Sequence, residues 1–311
     1  MSTATLEAPA VDSTVARRRR RRKYGGIHAW LFALPALAVY LIFLVYPAFT
    51  SLWFSFTDWD GLSPTYNVVG LENYTNMPKD PVVIQAVINN IIWTVVTIVF
   101  PVVIGLALAM VLNGKVRGKP VLRLIFYTPA VLPLVAVASI WGWLYNPQFG
   151  AINTFLRLIG LDSLAQPWLG QDSTALAAVM VPAIWLRVGF PMLLYLAALQ
   201  GINQDMYEAA TVDGATRSQQ FWHITMPSLR PAHYIVLALS LIDSFKVFDL
   251  IYAMTYGGPG TATQVMGTWM YFNVFQYYQA GYGTAIAVVI TVVAIAVSIP
   301  YVRSQTKEHA A

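Results

Sequence analysis

Long apolar runs alternate with short polar segments along the 311 residues of this chain. A helix needs about 20 consecutive apolar residues to cross the hydrocarbon core of a bilayer, and six runs have roughly that length. We therefore predict an all-α membrane protein with six spans, at residues 29–54, 90–112, 121–144, 176–199, 232–255 and 281–302. Prolines occur within several runs, and we expect them to bend the bundle, since neighbouring helices can satisfy the backbone groups that proline frees.

The composition agrees with a membrane protein and excludes some kinds of functional site. Hydrophobic residues make up 57% of the chain and charged residues 11%, whereas soluble domains carry about 25% charged residues. There are no cysteines, which excludes disulfides and thiolate metal sites. The histidines are scattered and no nucleophile stands in an evident pattern with a base, so we predict no catalytic residue and no metal site.

The positions of Lys and Arg predict the orientation of the spans. Fifteen of the nineteen lie in the two terminal tails and in the loops after the second and fourth spans, whereas the opposite loops hold only Lys79 and Arg157. Cytoplasmic segments carry the excess of basic residues, so both termini are predicted to be cytoplasmic. The basic run at 17–23 is interpreted as an orientation signal and not as a nucleic-acid arm, within a disordered cytoplasmic tail at 1–24 that precedes a membrane domain at 25–311.

A polar insert at about 201–231 interrupts the apolar pattern on the predicted cytoplasmic side. Asp205 followed by Glu208 matches a capping box that begins one short helix, and Gly214 suits the left-handed position that ends it. The pair Thr216 and Gln219 predicts a second short helix, which the proline at 227 is expected to close.

The large apolar residues Phe221 and Trp222 on this insert indicate contact with a partner. From the residues alone, the partner is either a protein that receives the insert as a docking element or the membrane surface, on which an amphipathic hairpin would lie.

The insert also resembles a known motif. The stretch EAATVDGATRSQQFWHITMPSL, which begins at Glu208, is similar to the EAA motif of permeases in bacterial binding-protein-dependent ABC importers. The segments VGLENY, YNPQFGAIN and FDLIYAMTYGGPGTAT, which begin at Val69, Tyr145 and Phe248, resemble the carbohydrate-uptake, maltose-permease-like branch. This resemblance covers about residues 29–305, and it implies a six-span type I importer permease in a bacterial inner or plasma membrane.

In that family the insert forms coupling helices that sit in a cleft on a cytoplasmic ATPase. The resemblance therefore implies a set of ATPase-coupling residues: Glu208, Ala209, Ala210, Asp213 and Gly214. It also implies a second homologous permease, two copies of the ATPase and an extracytoplasmic solute-binding protein as partners in the lipid bilayer. ATP and Mg²⁺ are expected on the ATPase, because LNGKVRGK near Lys115 lacks a glycine and the Ser or Thr of a phosphate-binding loop. This chain is thus expected to bind no cofactor and to be no enzyme by itself.

Ionisable residues inside spans are costly and indicate function or pairing. Arg187 lies in the fourth span, and Asp243, Lys246 and Asp249 lie in the fifth. Two structural pairs are possible: Lys246 with Asp249, which are three residues apart on one helix, and Arg187 with Asp243 across the bundle.

The functional interpretation places polar residues of these two spans along a substrate path. In the maltose-permease-like relatives the sugar contacts come from the same two spans, and hydroxyl-rich sugars suit carboxylate, guanidinium and aromatic partners. The predicted path residues are Arg187, Phe190, Ser240, Asp243, Ser244 and Val247, the last four of which follow helical spacing.

Three other functions stay open beside an importer for a di- or oligosaccharide or a related polyol. An ion-coupled secondary transporter would use Arg187, Asp243, Lys246 and Asp249 as a relay. An importer of the same class could carry a glycerol phosphate, and a membrane scaffold would use the insert only to hold a cytoplasmic protein.

Overall fold

The computed structural model describes residues 27–308, and within them the side chains of residues 33–299. The basic tail at 1–24 lies outside the described residues. Apart from an isolated bridge between Thr57 and Val68, the regular structure within 27–308 is helical. The α-helices are α1 (Ile27–Tyr40), α2 (Tyr46–Phe54), α3 (Glu72–Asn76), α4 (Pro81–Asn113), α5 (Lys119–Tyr127), α6 (Leu134–Leu144), α7 (Ala151–Leu158), α8 (Asp172–Arg187), α9 (Gly189–Gln200), α10 (Gln204–Val212), α11 (Arg217–Gln220), α12 (Met226–Ser228), α13 (Arg230–Ser244), α14 (Asp249–Thr255), α15 (Met266–Phe275) and α16 (Ala280–Glu308).

Four stretches of the described chain are long and apolar enough to cross a membrane. They match the predicted first, second, fourth and sixth spans and lie at Ala33–Phe54, Pro81–Asn113, Asp172–Gln200 and Ala280–Ile299. The predicted third span is a bent pair, in which Lys119–Val131 and Leu134–Leu144 meet at 102°. Leu132 and Pro133 are extended at the bend, because the residue before a proline is disfavoured in the helical region.

The predicted fifth span differs most from the structure. Instead of one helix over 232–255, the chain forms α13 with 15 residues and α14 with seven, separated by residues 245–248. Phe248 precedes α14 with φ −156° and ψ −63°, so the helix does not continue through it. The structure therefore provides four spans by length, or five with the bent pair, and the six-span count and the cytoplasmic termini stay predictions.

The chain divides into two compact units, Met1–Thr50 and Ser51–Ala311. In the first unit, α1 passes through a π-helical turn at Leu41–Val45 into the beginning of α2. The second unit holds three buried apolar clusters. One lies among α4, α6, α8 and α14, the second among α4, α9 and α13, and the third among α4, α15 and α16.

Helix α4 contributes to all three clusters and so forms the centre of the second unit. It packs tightly against α9 at Gly105, where an added Cβ atom would come within 2.8 Å of the Pro191 side chain and 2.9 Å of the Met192 backbone nitrogen. Only glycine permits this contact, since tightly packed membrane helices need small residues where their backbones meet.

Candidate functional site

The polar insert folds as two short helical segments, as predicted, but its first cap is a different residue. Asn203 precedes α10 and its side-chain oxygen accepts a hydrogen bond from the Asp205 backbone at 3.0 Å. The prediction of Asp205 as the cap was wrong because Asn203, two residues earlier, offers an equally good capping side chain. Asp205 instead lies in the first turn of α10, where its carboxylate interacts favourably with the positive end of the helix dipole.

The turn after α10 has the predicted geometry. Gly214 adopts φ +80°, and the Ala215 backbone donates to the Ala210 carbonyl at 2.8 Å while the Gly214 backbone donates to the Thr211 carbonyl at 3.1 Å. These two bonds form a Schellman motif, which favours glycine at the left-handed position. The chain therefore reverses at 213–214.

The second segment begins as predicted and ends later. Thr216 and Gln219 form a reciprocal capping box at the start of α11. Pro227 was expected to close the segment, but helical structure continues through a π-turn at Phe221–Thr225 into α12 and ends at Ser228. Pro227 is the second residue of α12 and lies one residue before the end of this continuous helical stretch.

Side-chain bonds join the two segments and fix the insert to the bundle. The Gln220 amide donates to Thr211 Oγ1 at 2.9 Å, and the hydroxyls of Tyr207 and Thr225 lie 2.9 Å apart. Tyr207 and Ile224 pack against the buried cluster of α4, α9 and α13. Because of these contacts the insert is seated on the membrane helices through one face.

The opposite face carries most of the predicted ATPase-coupling residues. Glu208, Ala209, Asp213 and Gly214 are exposed, whereas Ala210 is half-buried. The large apolar side chains Val212 and Trp222 are 89% and 61% exposed on the same insert. Exposed apolar groups beside small residues suit a surface that meets a partner closely.

A cavity of about 560 Å³ lies where the C-terminal ends of α8 and α13 meet the N-terminal end of α9. This volume is within the usual range of small-ligand sites. Four predicted path residues line it: Arg187, Phe190, Ser240 and Asp243. The other two do not. Ser244 is fully buried and its hydroxyl donates to the Leu241 carbonyl, and Val247 is buried in the cluster of α4, α6, α8 and α14. The prediction that Val247 shares a helical face with Ser240 and Asp243 was wrong because α13 ends at Ser244.

An ion pair forms part of the lining of this cavity. Arg187 Nε donates a hydrogen bond to Oδ2 of Asp243 at 2.8 Å, and Nη2 of Arg187 lies 2.7 Å from the same oxygen. Its Nη1 lies 3.3 Å from the Ala183 carbonyl, which holds the guanidinium against α8. The side chains are 27% and 54% exposed, so the pair lies at an open wall and not in the core. The predicted pairing of Arg187 with Asp243 is confirmed.

The alternative local pairing of Lys246 with Asp249 was wrong. Lys246 lies in the interruption between α13 and α14, and Asp249 is the first residue of α14. The two are therefore not on a common helix, and no ion pair joins them within residues 33–299. Lys246 instead lines the cavity beside Asp243, which the sequence analysis did not predict.

Two single helices connect the cavity to the insert. Helix α9 runs from Gly189, two residues after Arg187, to Gln200, and α13 runs from Arg230 to one residue beyond Asp243. With a rise of about 1.5 Å per residue these helices are about 18 and 22 Å long. His233 Nδ1 and the Tyr195 hydroxyl, 2.8 Å apart, join them partway along.

A second cavity, of about 490 Å³, was not predicted from the sequence. It lies at the N-terminal end of α4, and its lining includes Asp58 and Asp80. Asp80 accepts bonds from Trp269 and Tyr282, each at 3.0 Å. These partners are 189 and 202 residues away along the chain, and no local spacing reveals them.

In the loop beside this second cavity, side-chain hydrogen bonds stabilise two charged carboxylates. The side-chain bond from Ser63, together with backbone bonds from Ser63 and Leu62, lowers the pKa of Asp60 to about 2, and the side-chain and backbone bonds from Asn67 lower the pKa of Asp58. Both carboxylates are therefore ionised at neutral pH.

Comparison with known proteins identifies the family. A family model described as "Binding-protein-dependent transport system inner membrane component" matches residues 101–306. The probable ABC transporter permease protein YurN of Bacillus subtilis is 39% identical over 87% of this chain and 93% of the relative. The trehalose/maltose transport system permease protein MalF of Thermococcus litoralis is 33% identical over 88% of this chain and 92% of the relative.

A solved structure agrees with these relatives. A chain of a bacterial alginate ABC transporter, in complex with an alginate pentasaccharide-bound periplasmic protein, has a TM-score of 0.76 at 26% identity and covers 88% of this chain and 92% of its own length. Family model, relatives and structure confirm the resemblance of the insert and the helical membrane fold. The chain therefore belongs to the family of binding-protein-dependent transport system inner membrane components, and it is a permease subunit of an ABC importer, a class of subunit that is not itself an enzyme.

Proposed function

We propose that this chain forms half of the translocation path of an ATP-driven importer for di- or oligosaccharides in a bacterial cell membrane. A second homologous permease supplies the other half, two copies of an ABC ATPase bind ATP and Mg²⁺, and an extracytoplasmic solute-binding protein delivers the sugar. The names of the relatives support this substrate class, because they concern trehalose and maltose in one case and an alginate pentasaccharide in the other.

One observation carries the proposal: α9 and α13 join the exposed insert to the cavity that the Arg187–Asp243 pair lines. The insert lies between these two helices in the sequence, and Arg187 and Asp243 lie at or beside their far ends. A displacement of Glu208 and its neighbours by the ATPase is therefore transmitted along two packed helices to the ion pair. Coupling of this kind requires a packed element with two alternative arrangements, and binding at one site must favour one arrangement over the other.

The cavity has the chemistry that a sugar requires. The second carboxylate oxygen of Asp243 and the hydroxyl of Ser240 are hydrogen-bonding groups at its wall, and Phe190, 39% exposed, offers an aromatic face. Orientation by a few polar groups in a largely apolar cavity is typical of small-molecule sites. We assign these three residues to substrate contact and Arg187 to holding Asp243 in position.

The ion-coupled alternative is not retained. Its relay would need ionisable groups that exchange protons or ions along the bundle, whereas two of the four form a short ion pair with each other. Membership of a family of ABC importer permeases supports an energy source on a partner chain.

Purification of the chain from its native membrane in a mild detergent tests the proposal. We expect a cytoplasmic ATPase and a second permease to co-purify, and ATP-dependent uptake of a labelled oligosaccharide after reconstitution with the solute-binding protein. If the chain elutes alone and moves solute without ATP, the proposed function is wrong. Reconstitution without the solute-binding protein is the matched control, and uptake should then fall to background.

A further inference from the structure

Lys246 is a cation without a partner at the wall of the substrate cavity. It is exposed, and within residues 33–299 its side chain has neither a hydrogen bond nor an ion pair. Asp249, the nearest carboxylate that follows it along the chain, lies at the start of α14. An unpaired charge within the bilayer is costly and is retained where it meets water, a ligand or another chain.

The charges of the cavity do not balance. Arg187 and Asp243 neutralise each other through a short ion pair, so Lys246 leaves one net positive charge on the lining. The C-terminal end of α13 favours a nearby cation, but a helix dipole supplies no hydrogen-bonding partner for the ammonium group. The lining therefore has one uncompensated donor that is able to bind an anion.

We propose that Lys246 binds the carboxylate of an acidic saccharide, so that the substrate of this importer carries a uronate-type sugar. The inference rests on the proposed function and specifies its substrate class. A carboxylate has a single charge, which matches the single uncompensated cation. A phosphate monoester carries about −1.5 to −2 at neutral pH, which exceeds the single positive charge that the ion pair leaves uncompensated on the lining.

The rest of the lining suits the same ligand. Ser240 and the free Oδ1 of Asp243 are available to sugar hydroxyls, and Phe190 is available to an apolar sugar face. Lys246 and Asp243 line the same cavity, so one sugar can present its carboxylate to the first and a hydroxyl to the second. Hydrogen bonds to a charged group are stronger than those between neutral groups.

A matched pair of ligands tests this assignment: an aldobiouronic acid, which is a disaccharide with one carboxylate, and its methyl ester, which has the same rings without the charge. Binding of each is measured by saturation-transfer NMR to the permease–ATPase complex purified from the native membrane and freed of the solute-binding protein. We expect the wild type to bind the acid about tenfold more tightly than the ester, the effect of one charge-assisted hydrogen bond. Lys246→Met should reduce that ratio to about one.

The control is Lys79→Met, which removes one positive charge from the second cavity, at the N-terminal end of α4. It should keep the tenfold preference for the acid, and co-purification of the ATPase with the Lys246→Met variant verifies that this variant assembles. Equal affinity for the two ligands in the wild type, binding of neither, or an unchanged preference in Lys246→Met would each overturn the assignment. Failure of the wild-type chain to co-purify with an ATPase would instead overturn the proposed function.

Discussion

The coupling insert and the substrate cavity are built by different kinds of interaction. In the insert, the caps and the turn are made by residues two to five apart, such as Thr216 with Gln219 and Ala210 with Ala215. In the cavity, the central contact joins Arg187 to Asp243, which are 56 residues apart on separate helices. The insert is thus an exposed structure held by local contacts, whereas the cavity exists only when the bundle is assembled.

This difference predicts how substitutions act. A change on the exposed face of the insert should leave the fold intact and remove coupling, because the face makes few contacts within the chain. A change at the ion pair should alter substrate handling while the insert still docks. Variants of the insert and variants of the ion pair should therefore distinguish loss of coupling to ATP from loss of substrate handling.

Gly214→Trp should have the largest effect. The site has φ +80° with no atom within 4 Å of an added Cβ, so the side chain projects outward, into the space that we propose the ATPase to occupy. We expect uptake to fall about a hundredfold, because disruption at the centre of an interface commonly has an effect of that size. Immunoblotting of membranes should show normal amounts of the protein.

Gly160→Trp is the matched control, since Gly160 has φ +79° and equally open surroundings. The backbone cost is then the same in both variants, and uptake by Gly160→Trp should stay near the wild-type rate. Normal uptake in Gly214→Trp would refute the docking role of the insert.

Arg187→Met should have the next largest effect. It leaves Asp243 without its partner, and we expect uptake of the oligosaccharide to fall about tenfold, as for loss of one charge-assisted bond. The double variant Arg187→Met with Asp243→Asn should be no worse than the single one, because the pair acts as a unit.

Arg157→Met, which removes an exposed arginine from α7, provides the comparison and should retain uptake. ATPase co-purification should be unchanged in all of the cavity variants. If Arg187→Met released the ATPase, the cavity and the insert would not be separable in this way.

Thr216→Ala should have the smallest effect. It removes the cap of α11 and destabilises that segment by about 1 kcal/mol, while the bond from Gln220 to Thr211 still joins the two helices of the insert. We expect less than about a threefold loss of uptake, with a lower midpoint of thermal inactivation for the purified complex. A loss as large as that of Gly214→Trp would mean that the insert has little support beyond its own caps.

The sequence predicted local structure well where the deciding atoms were neighbours. Gly214 and the Thr216–Gln219 box were predicted correctly because turn and cap chemistry acts over a few residues. Asp205 was the wrong cap only because Asn203 competes for the same role two residues earlier. Four of the six predicted spans correspond to uninterrupted stretches of suitable length, because apolar length is a property of composition.

The predictions that assumed a continuous fifth span were wrong. Val247 was placed on the face of Ser240 and Asp243, but the helix ends at Ser244 and Val247 turns into the core. Lys246 and Asp249 were paired on the same assumption. Nothing in the apolar pattern of residues 232–255 marks the break, since the residues on both sides of it are equally compatible with a helix.

The sequence by itself determined that this protein lies in a membrane, that it is helical, and that it carries a polar helical insert, because hydrophobic length, helix capping and a local motif are all encoded by neighbouring residues. Only the tertiary structure decided which polar groups meet. It paired Arg187 with Asp243, left Lys246 unpaired at the cavity wall and brought Trp269 and Tyr282 to Asp80. Those contacts depend on where each helix ends and which faces pack together, and such long-range packing has no signature in the local sequence.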